Sequence, residues 1–237
     1  ADVVRRRLVS AQPDDLIGRF ALALNSFRAR GSTREVEEFL ARLTETEANS
    51  DDGIKLRKDW AMISGNLSEY HRLEQMKPNL ALPGRNLRTT AAIDAAIVLA
   101  AQGNSAGARE RLKDVAEVRS QVENDPTNER LWNRLGQTEA LLGHKEEAVR
   151  CVRKAVELIP ESLDAVEGPR LSAALAFVHA WTGDKDRAIA EYAQLLRVPY
   201  SGLNIHEMKR DPTYHPLRGD PRFEALLNDP KNNAPLF

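Results

Sequence analysis

The stretch ERLWNRLGQTEALLGHKEEAVRCVRKAVELIPES, residues 129–162, decides the architecture of this chain. Leu131, Leu135 and Leu142 fall on one helical stripe, and Ala148, Val152, Ala155 and Ile159 fall on a second. A spacing of three and four residues is that of an α-helix with one buried face. Gly143 punctuates the two stripes, and Pro160 stops the second helix because it lacks the amide that would continue the ladder. Small residues at Gly136 and Ala148 let the two helices approach closely. The unit is therefore a helical hairpin.

The same punctuation recurs along the chain. Gly31, Gly65, Gly103, Gly143 and Gly183 stand 34, 38, 40 and 40 residues apart. Five positions after each lies a residue expected to face back into its pair: Val36, Tyr70, Ala108, Ala148 and Ala188. A period of this size marks a helical repeat array, in which no unit buries its apolar face alone.

Trp132-x-x-Leu135-Gly136-x-x-Glu139, Ala148-x-x-x-Val152 and Pro160 resemble the tetratricopeptide repeat, whose pattern is Trp-x-x-Leu-Gly-x-x-Tyr, Ala-x-x-x-Phe and a late Pro. Glu139 departs at the Tyr position, and Val152 is smaller than the usual aromatic. The next unit keeps Leu175, Ala176, Gly183, Ala188 and Tyr192, with its first helix beginning near Pro169 and six extra residues in the loop 161–168. Ala92, Ala95, Ala96, Leu99, Gly103, Ala108 and Leu112 fit a third unit, and Phe20, Ala23, Leu24, Phe27, Gly31, Val36 and Leu40 the earliest clear one. There Ser32-x-x-Glu35 predicts a capping box. Around Gly65 the match is poorest: Arg57 and Lys58 stand where Leu and Gly are expected, so Leu56, Trp60 and Ile63 set the packing stripe. Residues 77–87, with Pro78, Pro83 and Gly84, read as a loop.

These readings predict an all-α, right-handed tetratricopeptide-like superhelix, an α-α solenoid of about five helical hairpins with a short C-terminal capping tail. Residues 1–14 read as the end of a preceding helical repeat, residues 15–200 as the solenoid and residues 201–237 as the tail. An opening without Met or an apolar signal region fits a fragment or processed product. In the tail Asn204 caps a short helix, and Asp220-Pro221 is a strong helix start. Leu217, Phe223, Leu226 and Leu227 are expected to pack on the second helix of the last repeat, since a terminal unit must cover its apolar stripe. Residues 202–227 resemble the closing segment of repeat regions in bacterial signalling proteins, which carry such arrays behind kinase, nucleotide cyclase or winged-helix modules.

Bulk composition fits a soluble helical protein: 42% hydrophobic, 29% charged and only 5% aromatic residues. A net charge of −1 offers no field for nucleic acid or anionic membrane. No apolar run approaches the roughly 18 residues of a membrane span. The lone Cys151 excludes an intramolecular disulfide framework and leaves cytoplasm and periplasm both open.

Candidate chemistry is sparse. Gly103-Asn-Ser105-Ala-Gly107 matches a nucleophile elbow, but that motif needs a strand before the turn, and Ala91 to Ala101 has Ala-rich helical composition. His206-Glu207 opens like a zinc motif whose fifth position is here Arg210, and His206, His215, His144 and His179 do not combine into a ligand set. Cys151 reads as an inert packing residue. Arg5, Arg6 and Arg7 read as a solvated helix face. No phosphate-binding glycine loop is present. The sequence therefore predicts no catalytic residues, no metal and no cofactor.

The resemblance implies a concave groove lined by the first helix of each hairpin, which binds extended or helical peptides. Repeat register places Thr90, Ile93 and Ile97 of the third unit, Arg130, Asn133, Arg134 and Gln137 of the fourth, and Arg170 and Phe177 of the fifth on that face. Arg130, Arg134 and Arg170, with no acidic neighbour on the face, would attract an acidic segment or a terminal carboxylate, which the planar guanidinium holds bidentately. Asp94 and Ala173 stand where a full carboxylate clamp would carry polar or cationic groups. The expected function is a non-catalytic interaction or sensing module for a peptide or partner protein. The alternative is a structural, homo-oligomerising array whose groove, with Ile93 and Ile97, is covered by another protomer. A solvated polar face without a ligand also remains open.

Overall fold

A computed structural model describes residues 7, 10–12, 14–82, 87, 89–198 and 201–233. The predicted end of a preceding repeat over 3–10 lies mostly outside the described residues, as do Arg5 and Arg6. Within them every regular element is helical: α1 (Leu16–Arg30), α2 (Arg34–Ala41), α3 (Glu45–Asn49), α4 (Asp51–Ser64), α5 (Leu67–Met76), α6 (Ala91–Ala101), α7 (Ser105–Arg111), α8 (Val115–Asn124), α9 (Glu129–Leu142), α10 (Lys145–Leu158), α11 (Glu167–Trp181), α12 (Lys185–Leu195), α13 (Ile205–Met208) and α14 (Pro221–Asn228). Two 3-10 turns, Pro212–Leu217 and Pro230–Asn233, complete the tail.

Five hairpins form at the five glycines: α1/α2, α4/α5, α6/α7, α9/α10 and α11/α12. Gly31, Gly65, Gly103, Gly143 and Gly183 all take φ between 72° and 88°, the left-handed region that side chains with a Cβ resist. The chain is thus an all-α, tetratricopeptide-like solenoid. Val36, Tyr70, Ala108, Ala148 and Ala188 are all buried, as their position after each turn requires. At Gly136 a Cβ would lie 2.4 Å from Val152 Cγ2 and 2.9 Å from the Ala148 carbonyl, so α9 and α10 meet at a distance only Gly allows.

Four differences from the sequence reading have local causes. The second helix of the third hairpin breaks at Leu112–Asp114 and resumes as α8, which packs on α9. A short α3 precedes α4, and its Thr44-x-x-Glu47 makes the reciprocal capping box. Ser32 does not cap α2: its hydroxyl donates to Glu35 Oε2 at 2.7 Å, and the N-cap is Thr33 without a side-chain bond. Glu139, in place of the usual Tyr, is fully buried and accepts from Arg119 of α8 at 3.0 Å and pairs with His144 at 2.6 Å.

The apolar interior divides by neighbourhood. Phe20, Leu24, Phe27, Val36, Leu56, Trp60 and Ile63 join the first hairpin to α4. The central core runs from Met62 through Ile97 and Val152 to Phe177. The last hairpin supplies Ala188, Ile189 and Tyr192 to a cluster with Leu217, Phe223 and Leu227 of the tail, and Leu226 packs at its edge. Past that cluster the tail does something the repeat pattern did not indicate. It runs along the first helices: α13 packs on α1, and the Pro212–Leu217 turn packs on α6 and α11.

Candidate functional site

The nine residues assigned by register to the groove separate into two groups. Ile93, Ile97, Gln137 and Phe177 are at most 1% exposed, and Asn133 is 4% exposed. Thr90, Arg134 and Arg170 are half-buried, and Arg130 is exposed. The buried group is covered by the chain itself. Gln137 Nε2 donates to the Leu87 carbonyl at 2.8 Å and to Asn133 Oδ1 at 2.8 Å, while Asn133 Nδ2 reaches the same carbonyl at 3.2 Å. Two amides spaced one helical turn apart therefore converge on one main-chain oxygen of the loop between α5 and α6. Phe177 lies in the central core with its ring 5.8 Å from Trp181, whose indole N–H donates to the Thr213 carbonyl of the tail. Thr90 caps α6 by accepting the Ile93 amide.

Two expectations are corrected by this arrangement. Ile93 and Ile97 are covered within one chain, so they leave no apolar strip for a second protomer. The arginines do have acidic neighbours: Arg130 Nε lies 3.5 Å from Glu129, and Arg170 Nη1 lies 3.6 Å from Glu167 at the start of α11. Nor do the cations converge. Arg134 Nη1 donates to Gln121 of α8 at 3.4 Å and lines a small cleft with Arg111 and Thr138. Arg170 lines a different cavity, of about 290 Å³, together with Arg28, Asp59, Glu207 and Asp211. There its Nε is buried and has no hydrogen-bond partner among the described residues. Of the three arginines it is the one with a donor left over inside a cavity.

The other chemical candidates resolve simply. Ser105 begins α7 after the helix α6, so the strand that a nucleophile elbow requires does not precede it. Among the described residues no group of three or more His, Cys, Asp or Glu side chains is placed to hold a metal ion. None of the described helices is long and apolar enough to cross a membrane. Cys151 is fully buried, and burial together with the neighbouring Glu147 pushes its thiol up to about 12, far from the reactive thiolate range.

One titratable cluster sits within the last hairpin. His179 is 1% exposed, with Nε2 3.6 Å from Glu191 and Nδ1 4.0 Å from Asp184. Burial raises Glu191 to about 7 and lowers His179, and Glu191 Oε2 is buried without a hydrogen-bond partner among the described residues. A carboxyl whose folded pKa exceeds its unfolded value favours the fold below the unfolded pKa and loses that advantage as pH rises through the folded one. Glu191→Gln is therefore expected to raise the melting temperature at pH 8 and leave it nearly unchanged at pH 4. Thermal scans across that range check it, and an equal shift at both pH values would contradict the assignment.

Comparison with known protein families matches residues 129–162 to the family described as Tetratricopeptide repeat. No match is found among curated proteins.

Proposed function

We infer function from architecture: the fourth of the five hairpins matches the tetratricopeptide repeat, a unit that generally mediates protein–protein interactions and is typically non-catalytic. We propose that this array is a non-catalytic interaction or sensing module that holds an extended segment of a partner protein along its first helices. The observation that carries this reading is the pair Asn133 and Gln137, whose side-chain amides already grip a main-chain carbonyl of a loop. Amide donors aimed at a peptide carbonyl recognise a backbone whatever its sequence, which is the chemistry an extended ligand needs. Arg170 adds the charge preference: an acidic side chain or terminal carboxylate entering its cavity would satisfy the buried Nε. The tail's resemblance to the closing segments of bacterial signalling arrays supports a place beside an effector module.

The test is direct. A fluorescent glutamate-rich peptide with a free C-terminus is titrated against the wild-type chain and the variant Arg170→Ala. Loss of charge-assisted bonds is expected to weaken binding at least about tenfold, or about 1.4 kcal/mol. Thermal stability should move little, because half-exposed charged side chains contribute on the order of 0–1 kcal/mol each. Equal affinity in the two proteins would refute a site at Arg170.

A further inference from the structure

The tail does more than close the last hairpin. After Gly202, Asn204 caps α13 by accepting the amides of His206 and Glu207, and its own Nδ2 donates to the Arg28 carbonyl at 2.6 Å. Glu207 accepts from Arg28 Nε at 2.7 Å. The His206 ring lies 6.1 Å from that of Phe27, and the Arg210 guanidinium sits 5.4 Å over the same ring. Ile205 and Met208 turn the other way and are buried with the last hairpin. A four-residue helix thus ties the first hairpin to the fifth, with an acid–base pair, a cap and a cation–π contact on the first-hairpin side.

Two turn glycines carry the imprint of this docking. A Cβ on Gly31 would lie 2.6 Å from His206 Nδ1, and one on Gly65 would lie 2.9 Å from the Arg210 carbonyl. At Gly103, Gly143 and Gly183 a Cβ would meet nothing within 4 Å. All five turns need glycine for a positive φ. Only the first two also need it to admit another segment.

We propose that the C-terminal end of α1, with the turns at Gly31 and Gly65, is a docking surface for a short capped helix of the pattern Asn-Ile-x-Glu-x-x-Arg, held shut by residues 204–210 of this chain until a partner segment of the same chemistry displaces them. The proposal rests on the reading of the array as a peptide-holding scaffold and deepens it by naming the ligand class and the internal competitor. An attached segment has an effective concentration that reaches the millimolar range for short flexible connections, so a free peptide competes poorly until the intramolecular contact is weakened. Arg28 and Glu207 are the lever, because both lie at the rim, with side chains 39% and 16% exposed. Reversing one breaks the tail's charged contact with α1 while leaving the apolar side chains of Ile205 and Met208 in place.

The experiment uses the full chain and a labelled synthetic peptide with the sequence of residues 201–218. In Glu207→Arg the amides of residues 208–211 are expected to exchange with solvent at least tenfold faster than in wild type. The same variant, which keeps Arg28, should bind the peptide at least tenfold more tightly than wild type does. Arg28→Glu should free the tail equally but not take up the peptide, and Arg28→Glu/Glu207→Arg should restore slow exchange. Unchanged exchange in both single variants would overturn the internal competitor. Faster exchange with no gain in peptide binding would overturn the docking surface. Arg28 and Glu207 line the same cavity as Arg170, so the two readings are separated by measurement: tail exchange and binding of the 201–218 peptide test this proposal, and the glutamate-rich peptide tests the scaffold reading.

Discussion

Glu74→Ala is expected to destabilise the chain by about 3–5 kcal/mol, the range for removing one partner of a buried ion pair. Lys58, on α4, is completely buried, and its ammonium pairs with Glu74 of α5, itself 4% exposed. That ammonium also donates to the Leu80 carbonyl at 3.3 Å and lies over the face of Tyr70, 5.4 Å from Nζ to the ring centroid. Glu74 also accepts from Arg111 of α7 at 2.8 Å, so one carboxylate joins the second hairpin to the third. Deleting it strands a desolvated ammonium and releases Arg111 together. Replacing Lys58 and Glu74 at once with Met and Leu should recover much of the loss, because buried ion pairs can be exchanged for apolar packing at little net cost. Urea denaturation followed by circular dichroism gives the comparison. A Glu74→Ala variant within 1 kcal/mol of wild type would mean that water reaches Lys58, contrary to its burial.

This network shows where sequence reading reaches its limit. The glycine spacing exposed five hairpins because a positive φ leaves few alternatives, and Leu56, Trp60 and Ile63 lie in the core as their helical spacing implies. Lys58 looked like a defect in the repeat because its partner comes from another helix. The same holds for Glu139, which is buried only because Arg119 and His144 meet it. The α7–α8 break has no glycine or proline at Leu112–Asp114 to announce it.

At the predicted groove, register named Asn133 and Gln137 but gave no sign of what they meet. Asn133 and Gln137 do project from the first helix of their hairpin, yet their ligand is a carbonyl of the chain's own loop. Whether Asn204, 176 residues downstream of Arg28, meets α1 depends on how the hairpins curve around one another. A periodic pattern specifies contacts between neighbours and leaves that closure unstated. The signal that could have found it was weak: Asn204 and Asp220-Pro221 announced ordered helices in a segment with no repeat partner.

Phe27→Ala is the second large effect expected, at about 3–5 kcal/mol for deletion of a fully buried aromatic ring. The ring packs edge-on against Trp60 with centroids 5.2 Å apart, which fixes α1 against α4. Its other surroundings include His206 and Arg210 of the tail. One substitution should then produce two losses: a cavity between the first two hairpins, and an unanchored α13. Phe20→Ala separates them. Phe20 is 2% exposed, and its ring neighbour is Phe39, 5.9 Å away, so its removal should lower stability by a similar amount and leave the tail docked. Limited proteolysis under native conditions distinguishes the variants, with early cleavage around residues 199–210 expected for Phe27→Ala alone. Equal cleavage in both variants would show that tail release follows global stability. Selective cleavage in Phe27→Ala would show that this one ring holds the two ends of the array together.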